Sequence, residues 1–339
     1  MKAKSGFFIL FLILASSAYA QENQLRVNGY LSAGYVHGQE DTSYSNGTFQ
    51  NPQLGLLFSG MLTATVSYTA ETVLNQNAKI DLNQAYLGVM KSDVFGVNLG
   101  LFLVPFGKYN QNSRAYQTAL VETPLNLRKL YPFMWRDIGV QVEGEFSGLI
   151  YSVYFGNGLA ETQSLESGQQ FKDNNANKAI GGRFAWKMDP KIEIAYSHYR
   201  GKYDADNSRK LVLHGVDGSW ITQSFRLIGE YTWADMETPA DIENGEVEGF
   251  YALLTFDFLS LWPVVSYQKL DYKDPFHGVG FLSPDMPGEG VSEAKTRWAI
   301  GLTYNLSQTA FFKLEYQINK EEGFSKKDNA VYLQITLSF

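Results

Sequence analysis

The stretch PFGKYNQNSRAYQTALVETPLNLRKLYPFMWRD, residues 105–137, carries Lys108, Arg114, Glu122, Arg128, Lys129 and Arg136 before its closing Asp137. Five cations and one carboxylate are not a bond-breaking constellation; groups of this kind attract, repel and orient solutes. Around a narrow aqueous passage they would screen by charge, and the basic excess predicts a mild anion preference. The plainer alternative is that they pair with neighbouring charges and pin the segment. The sequence favours neither.

Chemistry of the bond-making kind finds little support. The four histidines, His37, His198, His214 and His277, are scattered, and no G-x-S-x-G, H-E-x-x-H or metal-ligand spacing accompanies them. The GVGF at 278–281 lacks both the third glycine and the following helix that a phosphate cradle needs. A hydrolase is the weakest reading, and no cofactor or metal is expected. The net charge of −7 also argues against nucleic acid as a partner.

Elements must hold the 105–136 segment in place, and they are strands. Apolar and polar residues alternate at period two, the mark of a strand with unlike faces, in sixteen segments running from 24–37 to 328–339. In 294–306, Trp298, Ile300, Leu302 and Tyr304 alternate with Arg297, Ala299, Gly301 and Thr303; in 328–339, Val331, Leu333, Ile335, Leu337 and Phe339 form one apolar row. The intervals alternate too. Long ones (38–52, 105–136, 158–176, 203–208, 237–245, 273–293, 322–327, with 76–79 the short member) are separated by brief turns, for example at Ser92-Asp93 and Ser307-Gln308. Long loops at one rim and tight turns at the other belong to an up-and-down membrane barrel, as do strands of roughly ten residues. Residues 114–121 are expected to form a helical turn or two. Trp186, Trp220, Trp233 and Trp262 fall near the proposed rims, where indole rings suit a membrane interface.

The N-terminal MKAKSGFFILFLILASSAYA reads as a cleaved secretory signal over residues 1–20: Lys2 and Lys4, an apolar stretch, then Ala18-Tyr19-Ala20. Residues 21–339 would then be one transmembrane antiparallel β-barrel of about sixteen strands in a bacterial outer membrane. A closed barrel has no free edge, so the last strand must pair with the first, placing Phe339 against lipid at the short-turn rim. A terminal aromatic strand of this type resembles the signal that outer-membrane proteins present to the barrel assembly machinery.

A sixteen-stranded lumen is too wide for side chains to fill. The 105–136 segment, long and rich in Leu, Tyr and Phe, is expected to fold inward as a constriction loop. Alternation places Arg26, Arg183, Lys187, Arg226, Arg297 and Lys313, with Glu71, Glu143, Glu145, Glu230 and Glu315, on the water-facing inner wall. The function this predicts is a water-filled diffusion channel for small hydrophilic solutes or ions. A non-conducting surface or adhesion protein that uses the barrel as an anchor stands as the alternative.

LGLFLVPFGKYN (99–110), ETPL (122–125) and WRDIGVQVEGEF (135–146) resemble the phosphate-selective porin O/P family, in which a Pro-Phe-Gly element precedes the constriction loop and a Trp/Arg-Asp-Ile-Gly-Val segment opens the next strand. LGLLFSGMLTATVSYTAETVL (54–74) and DLNQAYLGV (81–89) follow the same order; elsewhere only the strand rhythm matches. The resemblance implies a trimeric porin of sixteen strands per subunit. The ladder of lumen-facing arginines expected for phosphate selectivity is missing. Partners implied are outer-membrane lipid and lipopolysaccharide, the assembly machinery, and two further copies of the chain.

Overall fold

The computed structural model describes residues 25–162, 165–238, 244–273, 294–323 and 325–339. Residues 1–20 of the expected signal, His277 and the GVGF segment lie outside them.

Sixteen strands form a closed antiparallel barrel in which every strand pairs with its sequence neighbours and the last with the first. They are β1 (Arg26–Gly38), β2 (Thr48–Met61), β3 (Val66–Leu74), β4 (Ile80–Ser92), β5 (Phe95–Leu103), β6 (Arg136–Phe146), β7 (Leu149–Gly156) and β8 (Ala179–Asp189), followed by β9 (Ile192–Lys202), β10 (Lys210–Ile221), β11 (Phe225–Met236), β12 (Gly245–Phe256), β13 (Leu261–Lys273), β14 (Lys295–Asn305), β15 (Ala310–Glu321) and β16 (Ala330–Ser338). Among the described residues no helix is long and apolar enough to cross a membrane.

Closure runs from Tyr30↔Ser338 to Gly38↔Ala330. It ends on a reciprocal pair, Gly29 N donating to Phe339 O at 2.8 Å and Phe339 N to Gly29 O at 2.9 Å. The Phe339 ring lies over Gly29, where a Cβ would overlap it.

The side chains are sorted inside out. Val27, Leu31, Leu99, Phe184, Ile194, Val216, Ile300, Leu314 and Ile335 are exposed on the outer face, whereas Ser197, Asp217, Glu230, Gln268, Lys313, Glu315 and Gln317 are buried on the inner one. A continuous apolar exterior of this size is untenable in water and natural in lipid.

The hydrophobic core sits inside the barrel. The segment between β5 and β6 folds into the lumen, with α1 (Gly107–Gln111) and α2 (Leu125–Leu130) as its helical turns. Phe106, Leu120, Leu125, Leu127, Leu130, Tyr131 and Trp135 pack on Tyr199, Leu211, Leu213, Val247, Tyr251, Val264 and Ala299 of the wall. Trp135 lies 5.0 Å from the Tyr199 ring and 5.6 Å from Phe106. Burial of each such side chain contributes about 1.5–3 kcal/mol towards offsetting the ordering entropy of the loop.

Three expectations need correction. Residues 114–121 form one hydrogen-bonded turn, Gln117 N donating to Arg114 O at 2.8 Å, and no helix; the backbone groups of residues 115 and 119–121 bond to wall side chains, and the helices fall on either side. Trp262 points into the lumen, in step with the buried Val264, Ser266 and Gln268 of β13, and not to the membrane interface. Trp186 and Trp220 do lie exposed on the outer face near short turns. Finally, β2 begins at Thr48 and contains Pro52, which it tolerates through a register shift opposite Ser32/Gly34 and a left-handed Asn51 (φ 52°).

Candidate permeation pathway

Gly107 opens the inward loop with φ 64°, and its N–H donates to Ser197 Oγ at 3.0 Å. A side chain there would collide with Glu230, so both the backbone conformation and the close approach require glycine in the Pro-Phe-Gly element. Beyond α1 the loop crosses the barrel to β3, where Arg114 Nε and Nη2 lie 2.8 and 2.6 Å from the two carboxylate oxygens of Glu71. Gln84 Nε2 donates to the same carboxylate at 2.8 Å.

The loop then returns to the opposite wall. Lys313 Nζ donates to the carbonyls of Ala115 and Leu120 and to Thr118 Oγ1, and Glu315 Oε2 accepts from Val121 N and Glu122 N at 2.7 and 3.1 Å. Thr303 Oγ1 donates to Ala119 O at 2.9 Å, and Gln268 Oε1 accepts from Leu125 N at 2.8 Å. Irregular backbone at membrane depth survives only where protein satisfies it, and here β13, β14 and β15 do so. Burial pushes the Tyr131 phenol, aided by Glu230, well above the usual range; it stays a donor to Glu230 Oε1 at 3.3 Å.

The loop leaves space in two places, on the β1, β2 and β16 side and, towards the short turns, against β10 to β15. Three cavities follow one another. At the long-loop mouth, about 320 Å³ is lined by Tyr44, Gln50, Asn51, Gln76, Glu122 and Arg128. Next, about 250 Å³ lies among Ser32, Gln53, Ser113, Val121, Glu122 and Gln334. Towards the short turns, about 470 Å³ is lined by Lys108, Tyr116, Arg226, Tyr251, Trp262 and Phe311. The first two share Asn51, Glu122 and Arg128; the last two share Tyr109, Thr118 and Glu122. Glu122 alone lines all three.

A family model for Gram-negative porins matches residues 8–323. The chain belongs to the Gram-negative porin family. It is an outer-membrane diffusion channel; the match stands at the level of the Gram-negative porins and does not single out the phosphate-selective O/P group that residues 99–146 resemble. Solved structures share the fold at low identity. The anion-selective porin from Comamonas acidovorans is 12% identical with a TM-score of 0.68, covering 94% of this chain and 100% of that one. Salmonella typhi OmpF in complex with daunomycin is 14% identical with a TM-score of 0.69, covering 94% and 98%. Vibrio cholerae OmpT in its trimer form is 9% identical with a TM-score of 0.68, covering 94% and 100%. An uncharacterized protein of Aquifex aeolicus (strain VF5) is 21% identical over 94% of this chain and 80% of its own length.

Within the porin, the six loop residues separate into two groups. Lys108, Glu122 and Arg128 line the cavities. The other three are engaged away from them: Arg114 with Glu71, Lys129 Nζ with Glu166 at 2.6 Å, and Arg136 over the Phe171 ring at 5.2 Å. The local basic excess is largely matched, since Arg128 Nη1 also pairs with Glu122 at 2.9 Å and Lys108 Nζ with Glu193 at 3.3 Å.

Of the wall charges expected to meet water, Glu71, Arg297, Lys313, Glu230 and Glu315 are instead buried beneath the loop. Alternation foretells the inner face but not what covers it. Arg297 Nε donates to Asn319 Oδ1 at 2.8 Å. Arg183 is held by Asp217 and by Glu193, which also takes Lys108. Glu143 accepts from Asn98 Nδ2 at 3.0 Å, and Lys187 meets Glu145 at 3.5 Å. Arg226 stacks on the Trp262 ring at 4.5 Å, and Arg26 is exposed at the start of β1. Asp217 and Glu193 were missed by the sequence reading; alternation from Leu211 and Leu213 would have put Asp217 inside.

His198 and His214 meet on the outer face, Nδ1 to Nδ1 at 3.4 Å, with Trp233 stacked on His214. They are remote from the lumen.

Proposed function

We propose that small hydrophilic solutes pass along the three adjoining cavities and that Glu122 and Arg128 form the selective point between them. The observation carrying this reading is that Glu122 lines every cavity while its partner Arg128 lines the outer two. A mild anion preference follows from exposure. The Arg128 side chain is 47% exposed against 14% for Glu122, and Lys108 is 24% exposed against 15% for Glu193, so solutes meet the cations first. The Comamonas structure, an anion-selective porin by its name, is in keeping with this. Arg114 and Lys313 act by holding the loop; Arg26, Arg183 and Lys187 contribute to the field at the short-turn end.

The same reading takes residues 1–20 as a signal removed in export, the outward Phe339 ring as the contact for the barrel assembly machinery, and the assembled form as a homotrimer seated among lipid and lipopolysaccharide. The trimer form of the Vibrio neighbour supports the assembly.

Single-channel recording across a potassium chloride gradient tests the proposal. Stable steps with a reversal potential of anion-selective sign are expected, and Arg128→Glu should move that potential towards cation selectivity. A folded barrel that passes no current would return the weight to the surface anchor.

A further inference from the structure

The cavity nearest the short turns differs in kind from the two before it. Its walls include Tyr109, Tyr116, Tyr251, Trp262 and Phe311, with Ile228 and Leu253 between them. Trp262 and Phe311 face one another at 5.9 Å, and Tyr109 meets Tyr251 edge-on at 6.3 Å. A passage used only by hydrated ions gains nothing from such surfaces. A mainly apolar pocket of a few hundred Å³ with a small number of placed polar groups is how proteins hold small organic molecules.

The polar groups set the sign of the guest. Arg226 lies over Trp262 and has no carboxylate within ion-pair distance among the described residues. In the same cavity, Lys108 is matched by Glu193 and Glu122 by Arg128. An arginine resting on an indole keeps its charge while its N–H groups remain able to bind a carboxylate in two-pronged fashion. Thr255 on the surrounding wall adds a hydroxyl, while those of Thr222 and Thr303 already donate to Phe225 O and Ala119 O.

We infer that this cavity is a binding subsite for flat aromatic carboxylates, with the ring between Trp262 and the tyrosines and the carboxylate on Arg226. The inference rests on the reading of the lumen as a solute path, which brings the guest to the cavity. A porin with such a subsite passes aromatic acids faster at low concentration than their size alone allows, and at high concentration they obstruct its ion current.

Two measurements on the full-length mature protein separate the subsite from the path. The first is the potassium chloride current in a planar bilayer, with 2-naphthoate added on both sides. The second is calorimetric titration of 2-naphthoate into the protein in detergent micelles, which needs no conduction. Naphthoate is expected to reduce the current saturably and to give a saturable heat, while acetate at equal concentration does neither and neutral 2-naphthylmethanol binds about tenfold more weakly. Arg226→Gln should weaken naphthoate binding by about tenfold, Trp262→Leu by a similar factor, and Trp262→Phe by less, since a ring remains. Circular dichroism of each variant checks that the barrel has formed. Normal current with no saturable naphthoate heat, or affinity unchanged in Arg226→Gln, overturns the subsite. Absent current with an intact, Arg226-dependent heat overturns the solute path and leaves the subsite standing.

Discussion

Arg114 of the inward loop and Glu71 of β3 are joined by two hydrogen bonds across the lumen, and Glu71 has no exposed side-chain surface. The pair fastens the loop to the strand opposite the wall on which its apolar residues rest. Replacing Arg114 by Met should leave a buried carboxylate without its cation, at a cost of about 3–5 kcal/mol to loop docking. Hydrogen exchange over residues 113–118 should quicken accordingly, and single-channel current should become noisier. The double change with Glu71→Gln should recover much of the loss; equal exchange in the single and double variants would refute the pairing.

Lys313 and Glu315, both inward on β15, grip the next part of the loop from opposite polarities, one donating to carbonyls and the other accepting from amides. Glu315→Leu leaves the amides of Val121 and Glu122 unpaired, for about 1–3 kcal/mol each. Cleavage by an added protease between residues 115 and 123 is expected in that variant and not in the wild type.

Closure of the barrel turns on Gly29 and Phe339. Gly29→Val should force the Phe339 ring off β1 and slow refolding into lipid vesicles several-fold, whereas Phe339→Ala should expose Gly29 with a milder effect on the folded barrel. Tracking refolding by tryptophan fluorescence distinguishes the two, and equal rates in all three proteins would count against the contact.

The loop joining β9 to β10 carries a pH dependence. Burial alone would raise the Asp204 carboxyl, but Ser208 Oγ at 2.6 Å and the backbone N–H groups of Arg209 and Ser208 hold it below the usual carboxylate range. A carboxylate with a lowered folded value stabilises its loop above the unfolded value and loses that contribution as pH falls through the folded one. Exchange of the 204–209 amides should therefore be steady at neutral pH and accelerate only in acid below the ordinary aspartate range. Asp204→Asn should abolish that acid step.

How far the sequence reaches can be judged from particular residues. The sixteen strands, their rims and the two faces of β15 are all legible, because period-two alternation is a local property that survives without knowing any partner. The inward course of residues 104–135 is legible too, through length and apolar content, and the Pro-Phe-Gly element that holds Gly107 through the family resemblance. Asp217, Glu193 and the inward Trp262 were missed for want of following the same alternation along β10, back to the start of β9 and across β13.

What the residue order by itself determined is the barrel: which side chains meet lipid, which point inward, and that β16 must return to β1. Only the tertiary structure decided which inward charges stay in contact with water. Lys313 and Glu315 are alike in sequence to Arg226 and Arg26, yet the first two are sealed under the loop and the others are not. The difference arises because the loop lies along one wall, bringing residues nearly two hundred positions apart into hydrogen-bond distance, and no local pattern encodes where a long segment comes to rest.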